Sequence, residues 1–362
     1  MIPMARPAIS NADREAVLRI LDSGYWASGP EVRAFEQEFA ELAGVKHAIA
    51  VTNGTVALHA ALLSVGVEPG DVVVTTPFTF IATSNTILHC HAKPHFVDID
   101  PDTFLIDIDQ VEKALQEQKV KAVVVVHLFG QMCDMSRLRS VCDAAGVALV
   151  EDCAQAHGAA FDGAQAGSVG EVGTFSFYAT KNLPTGEGGM VTTQDDERGT
   201  LLRQIINHGR TGGYEHAMVG YNYRMTNILA ALGRTQMTGL HKGNERRVAI
   251  ASKYLEQITN PVLRHPTVAG KAGHVFHQYT LRCADRDEFQ HHLKEQGVGS
   301  AIIYPLLSYQ QLAYQKLGHD NYSLPHAEKA VQEVLSIPVF PTLTDSEVGH
   351  IIDACNSFAP SI

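Results

Sequence analysis

Apolar residues fall in short runs through the first 240 residues, and amphipathic stretches separate several of these runs. The runs at His47–Thr52, Val72–Thr76, Pro94–Val97, Ala122–His127, Ala148–Glu151, Gly173–Phe177 and Met190–Thr193 predict strands. Thr55–Val65, Ile81–His91, Met135–Ala145 and Asp196–Asn207 predict helices between them. Such alternation predicts an α/β layer architecture around a mostly parallel sheet. Past residue 240 the pattern changes. His241–Gln257 predicts a charged connecting helix, 276–283 and Gly299–Tyr304 predict strands, and Asp287–Gln296 predicts a helix. Thr344-Asp-Ser-Glu347 reads as a capping box, in which Thr and Glu satisfy early backbone donors of a last helix. The expected organisation is a large α/β domain over 1–240 and a smaller α+β domain over 241–362. No internal repeat or low-complexity linker interrupts it.

Ligands of parallel α/β sheets bind beyond the carboxyl ends of the strands. The segments Thr52–Thr55, His127–Gly130, Glu151–Gln155 and Ser176–Lys181 all follow strands in that sense. Lys181 stands between the alternating run Thr174–Tyr178 and the glycines Gly186, Gly188 and Gly189. Desolvation there would free its amine as a nucleophile. Asp152 leaves the apolar run Val147–Val150. A covalent lysine with a buried aspartate for a pyridinium nitrogen is the pairing that pyridoxal phosphate demands. Gln155 is placed to bond the ring's phenolic oxygen. Gly54, Thr55 and Ser176 suit its phosphate, the first two at a helix N-terminus with free N–H groups and a favourable dipole.

Each residue also has a plainer reading. Asn-Gly-Thr turns commonly cap helices, an aspartate after a strand often does the same, and Ser176 could face solvent. Of Phe78 and Phe80, one suits the core and the other a flat ring. The run Gly220–Asn227 is rich in aromatic, amide and guanidinium groups, with Arg224 suited to phosphate or carboxylate.

The formal charge of −11 and the absence of a basic helix argue against nucleic acid as a partner. No apolar run reaches the roughly 20 residues of a membrane span. The opening residues lack a charged region followed by an apolar core, so a cytoplasmic enzyme is expected. The cysteines at 90, 133, 142, 153, 283 and 355 form no Cys-x-x-Cys pair, which suits reduced thiols. His89, His91 and His95 lie close in sequence, but nothing nearby completes a ligand set, and no metal is expected.

These residues together resemble the DegT/DnrJ/EryC1/StrS family of pyridoxal-phosphate sugar aminotransferases. The resemblance runs through Gly29-Pro-Glu-Val32, Thr52-Asn-Gly-Thr55, Pro77–Thr83, Glu151-Asp-Cys-Ala-Gln-Ala-His-Gly158, Phe175–Met190 and Gly220–Thr226. It implies an aspartate-aminotransferase-like enzyme of PLP fold type I, with a large mixed-sheet domain, acting as a homodimer with shared active sites. By position it implies Lys181 as the Schiff-base lysine, Asp152 as pyridinium partner and Gln155 as its neighbour on the ring. It further implies Gly54, Thr55 and Ser176 as phosphate binders, Phe80 as the stacking aromatic, and Asn222 as a phosphate ligand given to the other subunit. Arg224, Tyr304 and Tyr309 are the expected substrate contacts. Tyr309 stands where the family pattern has histidine. The implied reaction moves an amino group from L-glutamate to a nucleotide-linked keto-sugar. A sugar dehydratase, a cyclitol aminotransferase or a non-catalytic sensor are the competing readings. Dehydratases of the family carry histidine in place of the lysine, so Lys181 favours transamination. The Thr185–Gly189 wording is closer to members that aminate C-4 than to those that aminate C-3.

Overall fold

A computed structural model describes residues 1–319 and 321–360. Seven strands build the main sheet: β1 (His47–Val51), β2 (Val72–Thr75), β3 (Lys93–Phe96), β4 (Ala122–Val126), β5 (Ala148–Asp152), β6 (Val172–Ser176) and β7 (Gly189–Thr193). Their order is β1-β7-β6-β5-β4-β2-β3. β6, β5, β4, β2 and β3 are parallel, while β7 runs antiparallel to both its neighbours. β4 shows why the sequence chooses this layer. Its Ala-Val-Val-Val-Val is buried throughout. Val123 and Val125 enter one core and Ala122 and Val124 the other, so branched side chains fill both faces of a pleated strand.

Helices α1 (Asn11–Ser23) and α2 (Pro30–Ala43) precede the sheet. Next come α3 (Gly54–Ser64), α4 (Ala82–His89), α5 (Ile108–Glu117), α6 (Met135–Ala145), α7 (Asp196–Ile205) and α8 (Asn227–Thr238). Residues of α3, α4 and α7 cover one face of the sheet; α2, α5, α6 and α8 cover the other. The sequence reading assigned no element to α1, α2 or α5. Phe35 and Phe39 of α2 meet Phe175 and Phe177 with ring centroids 4.9–5.6 Å apart.

After α9 (Leu240–Gln257), the chain forms β8 (Tyr279–Arg282), α10 (Arg286–Glu295), α11 (Leu312–Lys316), α12 (Pro325–Glu333), β9 (Val334–Ile337) and α13 (Asp345–Asn356). β8 and β9 pair antiparallel, and a separate core forms between Ile250 and Phe358, joined by Ile2. Leu307, Tyr309, Tyr314 and Ala327 pack instead into the first core. Asp98 ties this return in place, its carboxylate accepting the N–H groups of His326 and Ala327 at 3.0 and 2.8 Å. Thr344 and Glu347 form the expected capping box.

Two strand expectations need correction. Residues 276–278 are irregular, and the strand begins at Tyr279. Gly299–Tyr304 forms no strand. Ala301 exchanges backbone hydrogen bonds with Ser336 at 3.0 and 2.9 Å, and the chain then turns away. Pro305 has no N–H to continue a ladder. Both segments line the same cavity. Among the described residues no helix is long and apolar enough to cross a membrane.

Candidate active site

A cavity of about 800 Å³ opens beyond the carboxyl ends of β4, β5 and β6. The start of α3 forms one wall. Asn53 caps that helix, its Oδ1 accepting the Val56 N–H at 3.0 Å, which leaves Gly54 and Thr55 at the open N-terminus. Gly54 packs directly on Ser176, since a Cβ added at Gly54 would lie 2.7 Å from the Ser176 Cβ. Two N–H groups and the hydroxyls of Thr55 and Ser176 therefore converge on one concavity. Such a cradle accepts a phosphate-sized anion at the favourable end of a helix dipole.

Lys181 lies in the loop that leaves β6. Phe177 donates to Gly188, Ala179 to Gly186 and Thr185 to Phe177, at 2.8–3.0 Å, and fold this loop back on itself. The Lys181 amine makes no hydrogen bond among the described residues. Burial draws its pKa down to about 8, against the opposing pull of Asp152. Asp152 ends β5. Burial raises its pKa, opposed by the hydroxyl of Thr83 at 2.8 Å and the Ala154 N–H at 3.1 Å. Thr79 and Thr83 hydroxyls are themselves 2.9 Å apart.

Gln155 accepts the Phe129 N–H at 2.6 Å and donates to the Tyr304 hydroxyl at 3.0 Å. Phe78 is fully buried in the core, whereas Phe80 is 58% exposed and lines the cavity, 6.3 Å from the Tyr304 ring. The cavity thus gathers Gly54, Thr55, Phe80, Asp152, Gln155, Ser176, Lys181 and Tyr304 from the sequence expectations.

Tyr309 does not join them. It is buried between Phe96 and Tyr322, and its hydroxyl donates to Glu328 at 2.8 Å. The expectation of a substrate contact there is corrected: the side chain belongs to the core that binds 307–331 to the sheet. Arg224 and Asn222 also lie outside the cavity of their own chain. Arg224 donates to Asn207 at 2.6 Å, and Asn222 is exposed beside it.

Sequence reasoning missed Thr83, Glu187 and His277, all on the cavity wall. Thr83 begins to matter only because α4 sets it against Asp152. Glu187 lies inside the glycine-rich loop. His277 lies in a segment whose composition predicts a strand.

The histidines at 89, 91 and 95 do not converge. The one potential ligand cluster among the described residues is His127, Glu151 and Cys153, with atoms within 4.8 Å of one another. Its polar atoms already have partners. His127 Nδ1 accepts the Cys133 N–H at 3.2 Å, and Glu151 accepts the N–H groups of Gly167, Val169 and Gly170 at 2.7–3.0 Å. The cluster is a brace beneath Asp152.

The DegT/DnrJ/EryC1/StrS aminotransferase family matches residues 7–356. The chain belongs to this family. As a member, it is a PLP-dependent sugar aminotransferase with the fold of that enzyme class. A protein of Geobacillus stearothermophilus named "Pleiotropic regulatory protein" is 41% identical, with 94% of each chain covered. UDP-N-acetyl-3-dehydro-alpha-D-glucosamine 3-aminotransferase of Acidithiobacillus ferrooxidans is 38% identical, over 92% of this chain and 90% of that one. The crystal structure of DesV of S. venezuelae in complex with a ketimine intermediate superposes with a TM-score of 0.93 at 36% identity, covering 97% of this chain and 95% of that one.

Proposed function

We propose that this family member transfers an amino group from L-glutamate to a keto-sugar carried on a nucleotide, with pyridoxal 5′-phosphate as cofactor. One observation supports this above the others: a low-pKa amine and a buried carboxylate share one cavity with an anion cradle. Pyridoxal phosphate, when bound, supplies an aldehyde for amine exchange and an electron sink for the substrate carbanion. Gly54, Thr55 and Ser176 would hold its phosphate, Phe80 would stack on its ring, Gln155 would bond its phenolic oxygen, and Asp152 would keep its nitrogen protonated. Lys181 would bind it covalently. Its free amine would be placed to move a proton to and from the substrate carbon. In the cofactor-free chain burial already holds the pKa of this amine at about 8, close to neutral pH.

Two copies would share their sites. Asn222 is exposed and lies outside the cavity of its own chain, where a second copy would use it as a phosphate donor, with Arg224 close by. The six described cysteines are free and buried, which suits the cytoplasm. A binding-only sensor has no need of a desolvated covalent lysine.

The test uses two half-reactions. Glutamate alone should convert the cofactor to its amine form and release 2-oxoglutarate. UDP-, GDP- and dTDP-linked amino sugars, offered to the aldehyde form, should run the second half-reaction backwards. Product NMR then separates C-4 from C-3 amination, with C-4 expected from the Thr185–Gly189 wording. Failure of glutamate, glutamine and aspartate together would overturn the transaminase reading.

A further inference from the structure

The protonation of His277 can be read from its neighbours. The backbone carbonyl of His157 can only accept, and Asn244 Nδ2 donates to it at 2.8 Å. Asn244 Oδ1 therefore accepts, and Asn182 Nδ2 donates to it at 2.9 Å. A second carbonyl, that of Val275, receives the same amide group at 3.4 Å. Asn182 Oδ1 is left as an acceptor, 3.1 Å from His277 Nδ1. The network thus assigns the proton of His277 to Nδ1. Burial, with Lys181 and Arg247 nearby, holds the imidazole well below its ordinary pKa, so the ring is neutral and Nε2 is a bare lone pair.

The ring's position is equally fixed. Gln278 donates to the Phe129 carbonyl at 3.2 Å and Val275 to the Gly130 carbonyl at 2.9 Å. The buried guanidinium of Arg247 caps the carbonyls of Phe276 and Val339. His277 lines the cavity and Asn182 does not. Nδ1 is taken by Asn182, which lies outside the cavity lining, so the ring nitrogen left for a cavity ligand is Nε2.

We propose that His277 is a fixed hydrogen-bond acceptor in the cavity wall, set by Asn182, and that it receives a hydroxyl of the bound sugar. This rests on the sugar-aminotransferase reading given above. A lone pair repels the carboxylates of an amino-acid donor and takes an O–H or N–H group. Two substrates alternate in this cavity, and a sugar ring is the one that presents hydroxyls. His277 therefore favours the acceptor substrate, and Asn182 is its positioning residue.

Two measurements test this on the full-length holoenzyme. With ¹⁵N-labelled histidine, NMR should show one His277 signal of the Nδ1–H form with an unprotonated Nε2, identified by its loss in His277→Phe. It should not titrate between about pH 6 and 8, where an unperturbed histidine does. Asn182→Leu should mix the two tautomers. A protonated Nε2, or titration in that window, overturns the fixed acceptor. Kinetically, His277→Phe keeps a flat ring and removes the lone pair. The half-reaction with the amino-sugar nucleotides should fall at least about tenfold further than the glutamate half-reaction, the size of one lost hydrogen bond. Equal losses in both would assign His277 a merely structural role. If no amino-sugar nucleotide reacts with the unsubstituted enzyme, the functional reading and the sugar contact fall together, while the NMR result still decides the state of the ring.

Discussion

Thr83 donates its hydroxyl to Asp152 Oδ2 at 2.8 Å, across 69 residues of sequence. The bond favours the ionised carboxylate against the desolvation that raises its pKa. Thr83→Val should remove about 1.5–3 kcal/mol of that support. The Asp152 pKa should then climb further above its ordinary value. An acidic limb of the kcat/KM–pH profile set by this carboxylate should move upward with it. An unmoved limb would mean that Thr83 does not tune Asp152.

Lys181 gives a second pH dependence. In the cofactor-free protein its amine is neutral above about pH 8. Its labelling by an amine-directed reagent should therefore rise with a midpoint near there, rather than near the ordinary lysine value of 10.5. Asp152→Asn should lower the midpoint, because the carboxylate pulls the pKa up. Stability carries the matching sign. Between about 8 and 10.5 the unfolded chain binds a proton that the folded chain does not, so this group's contribution rises with pH across that window. Borohydride reduction of the holoenzyme should leave its adduct on the Lys181 peptide, and an adduct elsewhere would refute the assignment.

Gly54→Ala should fail for a steric reason. The new Cβ would meet the Ser176 Cβ at 2.7 Å, and neither atom sits on a flexible chain end. A loss of about 1–3 kcal/mol is expected from the overpacking, with faster loss of cofactor on dialysis. Adding Ser176→Gly should recover the denaturation midpoint but not cofactor retention, since the hydroxyl is gone. Recovery of both would show that Ser176 gives nothing to the anion.

Glu151 and His127 are fully buried and 2.9 Å apart. Burial raises the Glu151 pKa, but the bonds from His127, Gly170 and Gly167 hold it below the ordinary carboxylate range. Its stabilisation is present above the unfolded value and lost as pH falls through the folded one. Glu151→Ala would take away the carboxylate facing His127 Nε2 and leave three N–H groups without their acceptor, and should cost about 3–5 kcal/mol in urea titrations. A loss under about 1 kcal/mol, the size of a surface pair, would contradict the brace.

Shared sites have a genetic test. Lys181→Ala and Asn222→Ala chains, each inactive alone, should recover activity when mixed as heterodimers. One site would carry both lesions and the other neither. No recovery in verified heterodimers would show that each chain completes its own site.

Much of this was legible in the sequence because it is local. β4 declares itself by five consecutive buried apolar residues, and the Thr344–Glu347 cap by four adjacent ones. Lys181, Asp152 and the Asn53–Thr55 turn follow strands, where parallel sheets place ligands. What escaped depends on distant packing. Tyr309 sits in a segment that suggested substrate, yet the core around Phe96 claims its ring. Residues 276–278 carry strand-like composition, but Gln278 bonds the Phe129 carbonyl, and Val275 just before them that of Gly130, rather than a neighbouring strand. α2 belongs to the sheet because Phe35 and Phe39 find Phe175 and Phe177, more than 130 residues away.

The bond from Gln155 to Tyr304 joins a wall built by the first half of the chain to one built near its end. Lysine, carboxylate and anion cradle all come from residues before 190, whereas His277, Gln278, Ile303 and Tyr304 come from two short stretches after 270. On the proposed function, the groups that would handle the amine and those that would face the acceptor rest largely on separate parts of the gene. Changes in the later stretches would then leave the residues around the amine untouched. Under that reading a few codons after 270 are enough to alter one wall of the cavity.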